Sequence, residues 1–400
     1  MPTKPPLKDF AVQTPEFDVV VVGLGAMGAA TLYQLAKRGV KVAGIDRFAP
    51  PHDQGSSHGD TRITRQAVGE GAAYVPLAIR SQQIWRELEA ELEVELFEQC
   101  GVLVMTASTP AQRPANEQDF TDHSIELARR YGIEHEVLDA NGIRQRFPQF
   151  APLDDSARGY FEPGGGYVRP ERCIDAQLTR ARQLGATLIT GQTVLELKPQ
   201  DDGVHIISDG SRLFARQVIV SAGMWSAQLL GAPFDSLLQV CRQQLYWFRL
   251  DEPERYPARS PSFILHSADD VDACYGFPPI PGEGSVKIAT EQYSASSQPD
   301  SLDRQPSSAD AQRLFRDLVA PHIAGLAPEL VKSSVCAYTV TADSGFIIDR
   351  HPHLANVTVV SACSGHGFKH SAAIGEALAQ QQVDGRSKID LNSFSLQRFN

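Results

Sequence analysis

The stretch Phe17-Asp18-Val19-Val20-Val21-Val22 constrains the fold more than any other part of the chain. Its stiff, branched side chains favour a pleated strand, and a run apolar on both faces fits the buried middle of a parallel sheet. Gly23-Leu24-Gly25-Ala26-Met27-Gly28 follows at once, then Ala29 to Arg38, whose Ala30, Leu32, Leu35 and Ala36 give a helix that Gly39 ends. Val40 to Ile45 reads as a second strand with Asp46 at its C-terminal end. Strand, glycine turn, helix, strand, acid is a complete βαβ unit of the dinucleotide-binding kind. Gly23 and Gly25 permit a tight turn and close backbone approach, while the helix N-terminus presents free N–H groups to a pyrophosphate. Asp46 is placed to accept hydrogen bonds from adenosine ribose hydroxyls.

At 400 residues the chain exceeds the roughly 100 to 200 residues of a single simple domain, so two consecutive or interleaved domains are expected. Hydrophobic residues at 42% and charged residues at 21% are the balance of a globular chain with a sizeable core. A net charge of -11 argues against nucleic acid as the main partner, because phosphate binding needs clustered positive charge. Residues 1–16 carry Lys4, Lys8 and four prolines without an apolar run of signal-peptide length, and read as a loose leader on a cytoplasmic protein with no membrane span. Cys100, Cys173, Cys241, Cys274, Cys336 and Cys363 show neither a CxxC pair nor zinc spacing, so neither a disulfide framework nor a metal centre is expected.

Further along, Trp85 to Leu96 reads as an amphipathic helix, Gly101 to Thr106 as a strand, Pro110 to Asn116 as a linker and Phe120 to Tyr131 as a helix. Gly164-Gly165-Gly166-Tyr167 marks a sharp turn before a helix at Glu171 to Leu184 and strands at Ala186 to Ile189 and Thr193 to Lys198. Gly203 to Ser208, the turn Asp209-Gly210-Ser211 and Gln217 to Ser221 form a meander ending in Ala222-Gly223, where the chain can pass close to a dinucleotide. Cys241 to Leu250 and Ser285 to Ala289 are strands of a second domain; Ser294 to Ser308 links to a helix around Ala311 to Val319.

After Asp46 come Gly55-Ser56-Ser57-His58-Gly59-Asp60-Thr61-Arg62-Ile63-Thr64-Arg65 and Gly69-Glu70-Gly71, and near the C-terminus Ser364-Gly365-His366-Gly367-Phe368-Lys369. With the glycine turn, these stretches closely resemble the monomeric sarcosine oxidase and N-methyltryptophan oxidase family of D-amino-acid-oxidase-like flavoproteins, from Phe17 to Phe399. The resemblance implies an α/β (α+β) fold in which an FAD-binding Rossmann-type domain, residues 17–95, 160–235 and 336–400, interleaves with a mixed-sheet substrate domain, 96–159 and 236–335. It implies FAD held by Gly23, Gly25, Ala26, Met27, Gly28, Asp46, Arg47, Ser56, Thr61, Arg62, Val194, Ala222, Gly223, Trp225, Cys336, Gly365, Gly367, Phe368 and Lys369. In this family the flavin is linked covalently through a cysteine, and the matching position is Cys336; a thiolate adds to the flavin methyl carbon, and the tether raises the reduction potential.

Arg65 and Lys369 match the pair that binds the substrate carboxylate, one as a planar fork and one as a point charge. Arg62 resembles the arginine beside the flavin ring, and Lys287 the lysine that helps oxygen accept electrons by fixing a positive charge near a developing anion. Tyr275 matches a tyrosine bordering the substrate. The sequence departs from the family at Glu291, where sarcosine and N-methyltryptophan oxidases carry histidine. Residues i and i+4 of a strand share a face, so Lys287 and Glu291 are both expected to reach the pocket.

A carboxylate there suits a substrate ammonium or sugar-like hydroxyls, leaves fructosyl and cyclic imino acids open beside N-methyl amino acids, and makes Glu291 the candidate base. The expected partners are a small amino-acid-like amine and molecular oxygen, in a monomer. Three rival readings remain: a flavin dehydrogenase with another electron acceptor, a non-catalytic flavin-binding sensor, and an NAD enzyme, the last supported by the glycine turn alone.

Overall fold

The computed structural model describes residues 16–107, 119–266 and 273–399. The leader and the linker read at Pro110 to Asn116 therefore lie outside the described residues, apart from Glu16. Two large sheets organise the chain, and both cavities described below lie where loops from one meet side chains from the other.

Phe17–Val22 sits at the centre of an eight-stranded sheet, parallel to Val42–Asp46 on one side and to Arg212–Val220 on the other. Thr187–Thr190 extends it in parallel beyond Val42–Asp46, and Val357–Ser361 adds in parallel to the end of Arg212–Val220. Within Phe17–Val22 all but Asp18 are buried, as the valine run requires. The crossover helix is Ala26–Lys37, which begins three residues before the expected start because Ala26, Met27 and Gly28 belong to its first turn. It packs against Ser371–Asp384 so tightly that a Cβ on Gly375 would stand 2.4 Å from the backbone carbon of Ala30. The meander is present as Val194–Gln200, Gly203–Ser208 and Arg212–Val220, antiparallel throughout.

The second sheet has nine strands, with Gln239–Leu250, Ser285–Thr290, Ala273–Gly276, Ser262–His266, Val102–Thr106, Arg158–Glu162 and Glu136–Asp139 in spatial order. Leu326–Val340 pairs with Gln239–Leu250 along almost its full length, from Gln239↔Val340 to Leu250↔Leu326. The boundaries read at 159/160 and 335/336 thus fall inside strands of this sheet. Three readings of single elements are corrected. The helix expected from Trp85 runs Val75–Leu92 and ends at Glu93 in the left-handed region, φ 54°. Its start was masked by Ser81 and Gln82, polar residues buried because Ser81 Oγ accepts from Ala373 N and Gln82 bonds Thr64 and Gln66. Gly166 and Tyr167 belong to a strand, Gly166–Val168, antiparallel to Arg62–Thr64. The helix at Ala311 to Val319 is α-helical over Ser308–Leu314 and continues as a π-turn over Phe315–Val319. No helix among the described residues is long and apolar enough to cross a membrane.

Candidate active site

A cleft of about 420 Å³ runs along the C-terminal ends of the parallel strands, where dinucleotides bind in open α/β sheets. Gly23, Gly25, Ala26, Met27, Asp46, Arg47, Ser56, Arg62, Val194, Ala222, Gly223, Trp225, Gly365, Gly367 and Phe368 all line it. Gly28 does not; its role is packing, since a Cβ there would lie 1.7 Å from Gly23 O. Gly23 needs its left-handed φ of 86°, and a side chain would strike the Ser221 carbonyl. In front of Gly25 a Cβ would meet nothing nearer than Ser57 Oγ at 3.7 Å, so its bareness keeps the cleft open at the helix N-terminus. Asp46 is held by Leu24 N at 2.6 Å and Phe48 N at 2.7 Å, one on each oxygen, which leaves an acceptor site per oxygen for a ribose hydroxyl. The cleft therefore fits a dinucleotide in length, backbone cradle and ribose acceptor. Sequence reasoning passed over Asp300, which reaches the far end of the cleft and bonds Arg47 Nη1 at 2.6 Å and Trp225 Nε1 at 3.0 Å.

A second cavity of about 350 Å³ adjoins the first: Arg62, Tyr338, Gly365 and Phe368 line both. Arg65, Tyr275, Glu291 and Lys369 line the second. Arg65 is fully buried, and its Nη2 donates to Glu70 Oε2 at 2.8 Å, while Lys369 Nζ donates to Glu70 Oε1 at 3.0 Å. Two cations from opposite ends of the chain thus converge on one carboxylate. Burial alone would raise the Glu70 pKa; Arg65 and Lys369 overcome it and hold the carboxyl well below its usual range. Burial lowers the Lys369 pKa in spite of Glu70. Glu70 belongs to the family stretch but carries no role in the sequence reading, because Lys369, which completes the pair with nearby Arg65, is 299 positions away.

Glu291 is exposed at the wall of this cavity and accepts from Tyr293 Oη at 2.8 Å. Although the cavity leaves Glu291 open to solvent, the protein packed around its carboxyl raises its pKa, with the Tyr293 hydrogen bond acting against that. Burial likewise pushes Tyr275 up to about 12, and pulls His366 down to about 4. Tyr293 and His366 were both absent from the sequence-derived site.

Lys287 departs from its expected place. The strand ends at Thr290, so Glu291 lies beyond it and turns into the second cavity, whereas Lys287 lines neither cavity. Its buried ammonium donates to Gly59 O at 2.6 Å, Thr61 O at 3.0 Å and Thr61 Oγ1 at 3.3 Å. Burial, reinforced by nearby Arg62, holds its pKa well below that of a free lysine. Arg62 shares this anchor: Nη1 donates to Thr61 O at 2.7 Å and Nη2 to Ser56 O at 2.8 Å. Thr61 and Cys336 also lie outside both cavity walls; Cys336 is packed with Leu245, Trp247 and Ala289, and burial raises its thiol pKa although Arg62 and Lys287 act to lower it. All six cysteines are free.

The sequence pattern of the family described as FAD dependent oxidoreductase matches residues 18–381. The chain belongs to this family. Among curated relatives of this FAD-dependent oxidoreductase, monomeric sarcosine oxidase of Bacillus sp. (strain NS-129) is 37% identical over 385 residues, 96% of this chain and 97% of that protein. N-methyl-L-tryptophan oxidase of Yersinia pestis (strain Pestoides F) is 31% identical over 96% of this chain and 100% of its own length. Among solved structures, NikD, an amino acid oxidase essential for nikkomycin biosynthesis, superposes with a TM-score of 0.79 at 24% identity, covering 96% of this chain and 98% of that one. Fructosyl amine:oxygen oxidoreductase of Aspergillus fumigatus superposes with a TM-score of 0.75 at 19% identity, covering 96% and 90%. At those identities the two structures speak for the fold alone.

Proposed function

We propose that this FAD-dependent oxidoreductase oxidises the C–N bond of a secondary amino acid, an N-methyl or N-alkyl amino acid of the sarcosine type, to an imine that water hydrolyses to amine and aldehyde, with oxygen reduced to hydrogen peroxide. The observation that carries the reading is the convergence of Arg65 and Lys369 on the Glu70 carboxylate, in a cavity that opens into the cofactor cleft at Arg62 and Tyr338. Glu70 shows what the two cations are built to hold. A substrate carboxylate that shares or takes over these bonds gains charge-assisted partners at both oxygens, and its amine then lies on the side of the cavity nearer the cleft.

FAD, when bound, supplies the two-electron acceptor for the substrate and the donor for oxygen. The chain's own residues do the rest. Arg65 and Lys369 orient the substrate, and the rings of Tyr275, Phe277 and Tyr338 in the cavity wall limit the water around the reacting bond. Glu291 is the acceptor for the proton that a substrate ammonium must lose, since a carboxyl with a raised pKa is better matched to that task than a free glutamate. Lys287, anchored beside the Arg62 guanidinium by Gly59 O and Thr61 O, is the residue that favours electron transfer to oxygen. Cys336, buried behind the cavity walls in the field of Arg62, would be the residue that tethers the flavin; flavin absorbance that stays with the polypeptide after acid denaturation, and is released from Cys336→Ser, checks this.

Glu291 with Tyr293 also favours amines whose N-substituent donates hydrogen bonds, such as fructosyl amino acids, and the Glu291 carboxylate equally suits the ring ammonium of cyclic imino acids. Anaerobic mixing of the yellow protein with sarcosine, N-methyl amino acids, cyclic imino acids, fructosyl amino acids and plain amino acids separates these classes by which one bleaches the flavin. Bleaching by plain amino acids but by no secondary amine would overturn the proposal.

A further inference from the structure

The three acceptors that hold Lys287 belong to one turn, Gly59-Asp60-Thr61, and that turn is gripped from its other side by a residue with no place in the site described so far. Glu171 Oε1 accepts from Gly59 N at 2.6 Å and from Asp60 N at 3.2 Å. The short antiparallel ladder brings the two segments together: it ends at the pair Arg62↔Val168, three residues after Gly59 on one side and three residues before Glu171 on the other. Glu171 stands in the first turn of the helix Pro170–Gln183, where a negative charge is favoured by the helix dipole.

The peptide between Gly59 and Asp60 has Lys287 on one edge and Glu171 on the other. Its C=O accepts from Lys287 Nζ, and its N–H donates to Glu171. In a planar trans peptide these two groups point in opposite directions, so a carboxylate on the N–H and an ammonium on the C=O polarise the same unit in the same sense. The backbone here is under local constraint: Gly59 has φ 96° and Asp60 φ 70°, the second a left-handed conformation that side chains other than glycine resist. The carbonyl of this peptide also accepts from Thr61 N at 2.8 Å, but Glu171 is the side chain that holds its N–H; without Glu171 the plane is freer to rotate, and rotation takes Gly59 O away from Lys287 Nζ. Thr61 O, two residues on, is shared by Lys287 and Arg62, so the same turn sets both cations.

We propose that Glu171 is a positioning residue for Lys287: it fixes the Gly59–Asp60 peptide whose carbonyl, with Thr61 O, holds the lysine ammonium in place beside Arg62. The inference rests on the reading that Lys287 serves the oxygen half-reaction. It is tested on the flavin-loaded enzyme with Glu171→Ala, Glu171→Gln and Lys287→Met, by hydrogen exchange of the peptide covering Gly59 and Asp60 and by separate stopped-flow measurement of flavin reduction by substrate and reoxidation by oxygen. Glu171→Ala is expected to speed exchange at that peptide and slow reoxidation by about tenfold or more, leaving reduction within about twofold, the selectivity expected of a lost electrostatic anchor. Glu171→Gln, whose amide oxygen still accepts from both N–H groups, is expected to restore most of the exchange protection and rate. Unchanged exchange in Glu171→Ala, or reoxidation at the wild-type rate while Lys287→Met is slow, overturns the positioning role. Wild-type reoxidation in Lys287→Met overturns the oxygen reading itself, and the exchange result then shows separately whether Glu171 holds the turn.

Discussion

Glu70 is the residue on which the substrate cavity turns, and its ionisation gives a pH signature. Arg65 and Lys369 hold its folded pKa below the unfolded value, so its contribution to stability is present above the ordinary carboxylate range and is lost as pH falls through the depressed folded pKa. Glu70→Gln is expected to cost about 3 kcal/mol near neutral pH, because two buried cations lose their counter-charge, and its melting temperature should fall less steeply on acidification than that of the unaltered enzyme. Thermal melts of both proteins across that pH range check the sign; parallel curves contradict it. Arg65→Ala removes one arm of the carboxylate site and is expected to raise KM for carboxylate substrates by roughly 10- to 100-fold, the worth of a charge-assisted hydrogen bond, without loss of bound flavin. Steady-state kinetics with an unchanged KM remove Arg65 from that role. At this scale the sequence was informative about Arg65, Lys369, Tyr275 and Glu291, which all reach one cavity. It was silent on Glu70, one of whose two cations only folding brings near: Glu70 stands 299 positions from Lys369; it was silent too on Tyr293, whose partner Glu291 lies just past the end of a strand, where side-chain direction follows no period.

The helix that opens on the glycine turn separates two uses of glycine. Gly28 is needed by the protein, since a Cβ there would collide with Gly23 O and stand 2.7 Å from Ser221 Oγ; Gly25 has space around it and an ordinary φ of -69°. Gly28→Ala is therefore expected to lower the melting temperature of the flavin-free protein, whereas Gly25→Ala should leave it unchanged and reduce FAD retention instead. Equal melting losses in both would contradict the distinction. The βαβ unit was readable because strand, turn, helix and acid are contiguous and each obeys its own local rule. The helix Val75–Leu92 was readable only in its second half, because Ser81 and Gln82 are buried polar residues whose hydrogen bonds come from Ala373, Thr64 and Gln66. Lys287 and Glu291 part company for a local reason: the strand stops at Thr290, so Glu291 is not bound by the i, i+4 rule to the face that Lys287 takes.

Across the whole molecule the two sheets are tied together over the cofactor cleft. Asp300 bonds Arg47 and Trp225, and Arg304 donates to the carbonyls of Asp53 at 3.1 Å and Gln54 at 2.7 Å, so the segment read as a plain linker fastens loops of the eight-stranded sheet to the nine-stranded one. In a Cys336→Ser background, Asp300→Ala is expected to release FAD about tenfold faster, since it opens that end of the cleft; gel filtration followed by flavin absorbance measures the loss, and an unchanged rate contradicts the tie. Composition and charge limited the partners of the chain but carried no information about this fastening. The central claim, that the paired cations hold a carboxylate so that a secondary amine is oxidised at the mouth of the cofactor cleft, is tested most directly by anaerobic flavin reduction. The account predicts rapid bleaching by an N-methyl amino acid and none by the corresponding N-methyl amine that lacks a carboxylate; equal bleaching by both would contradict it.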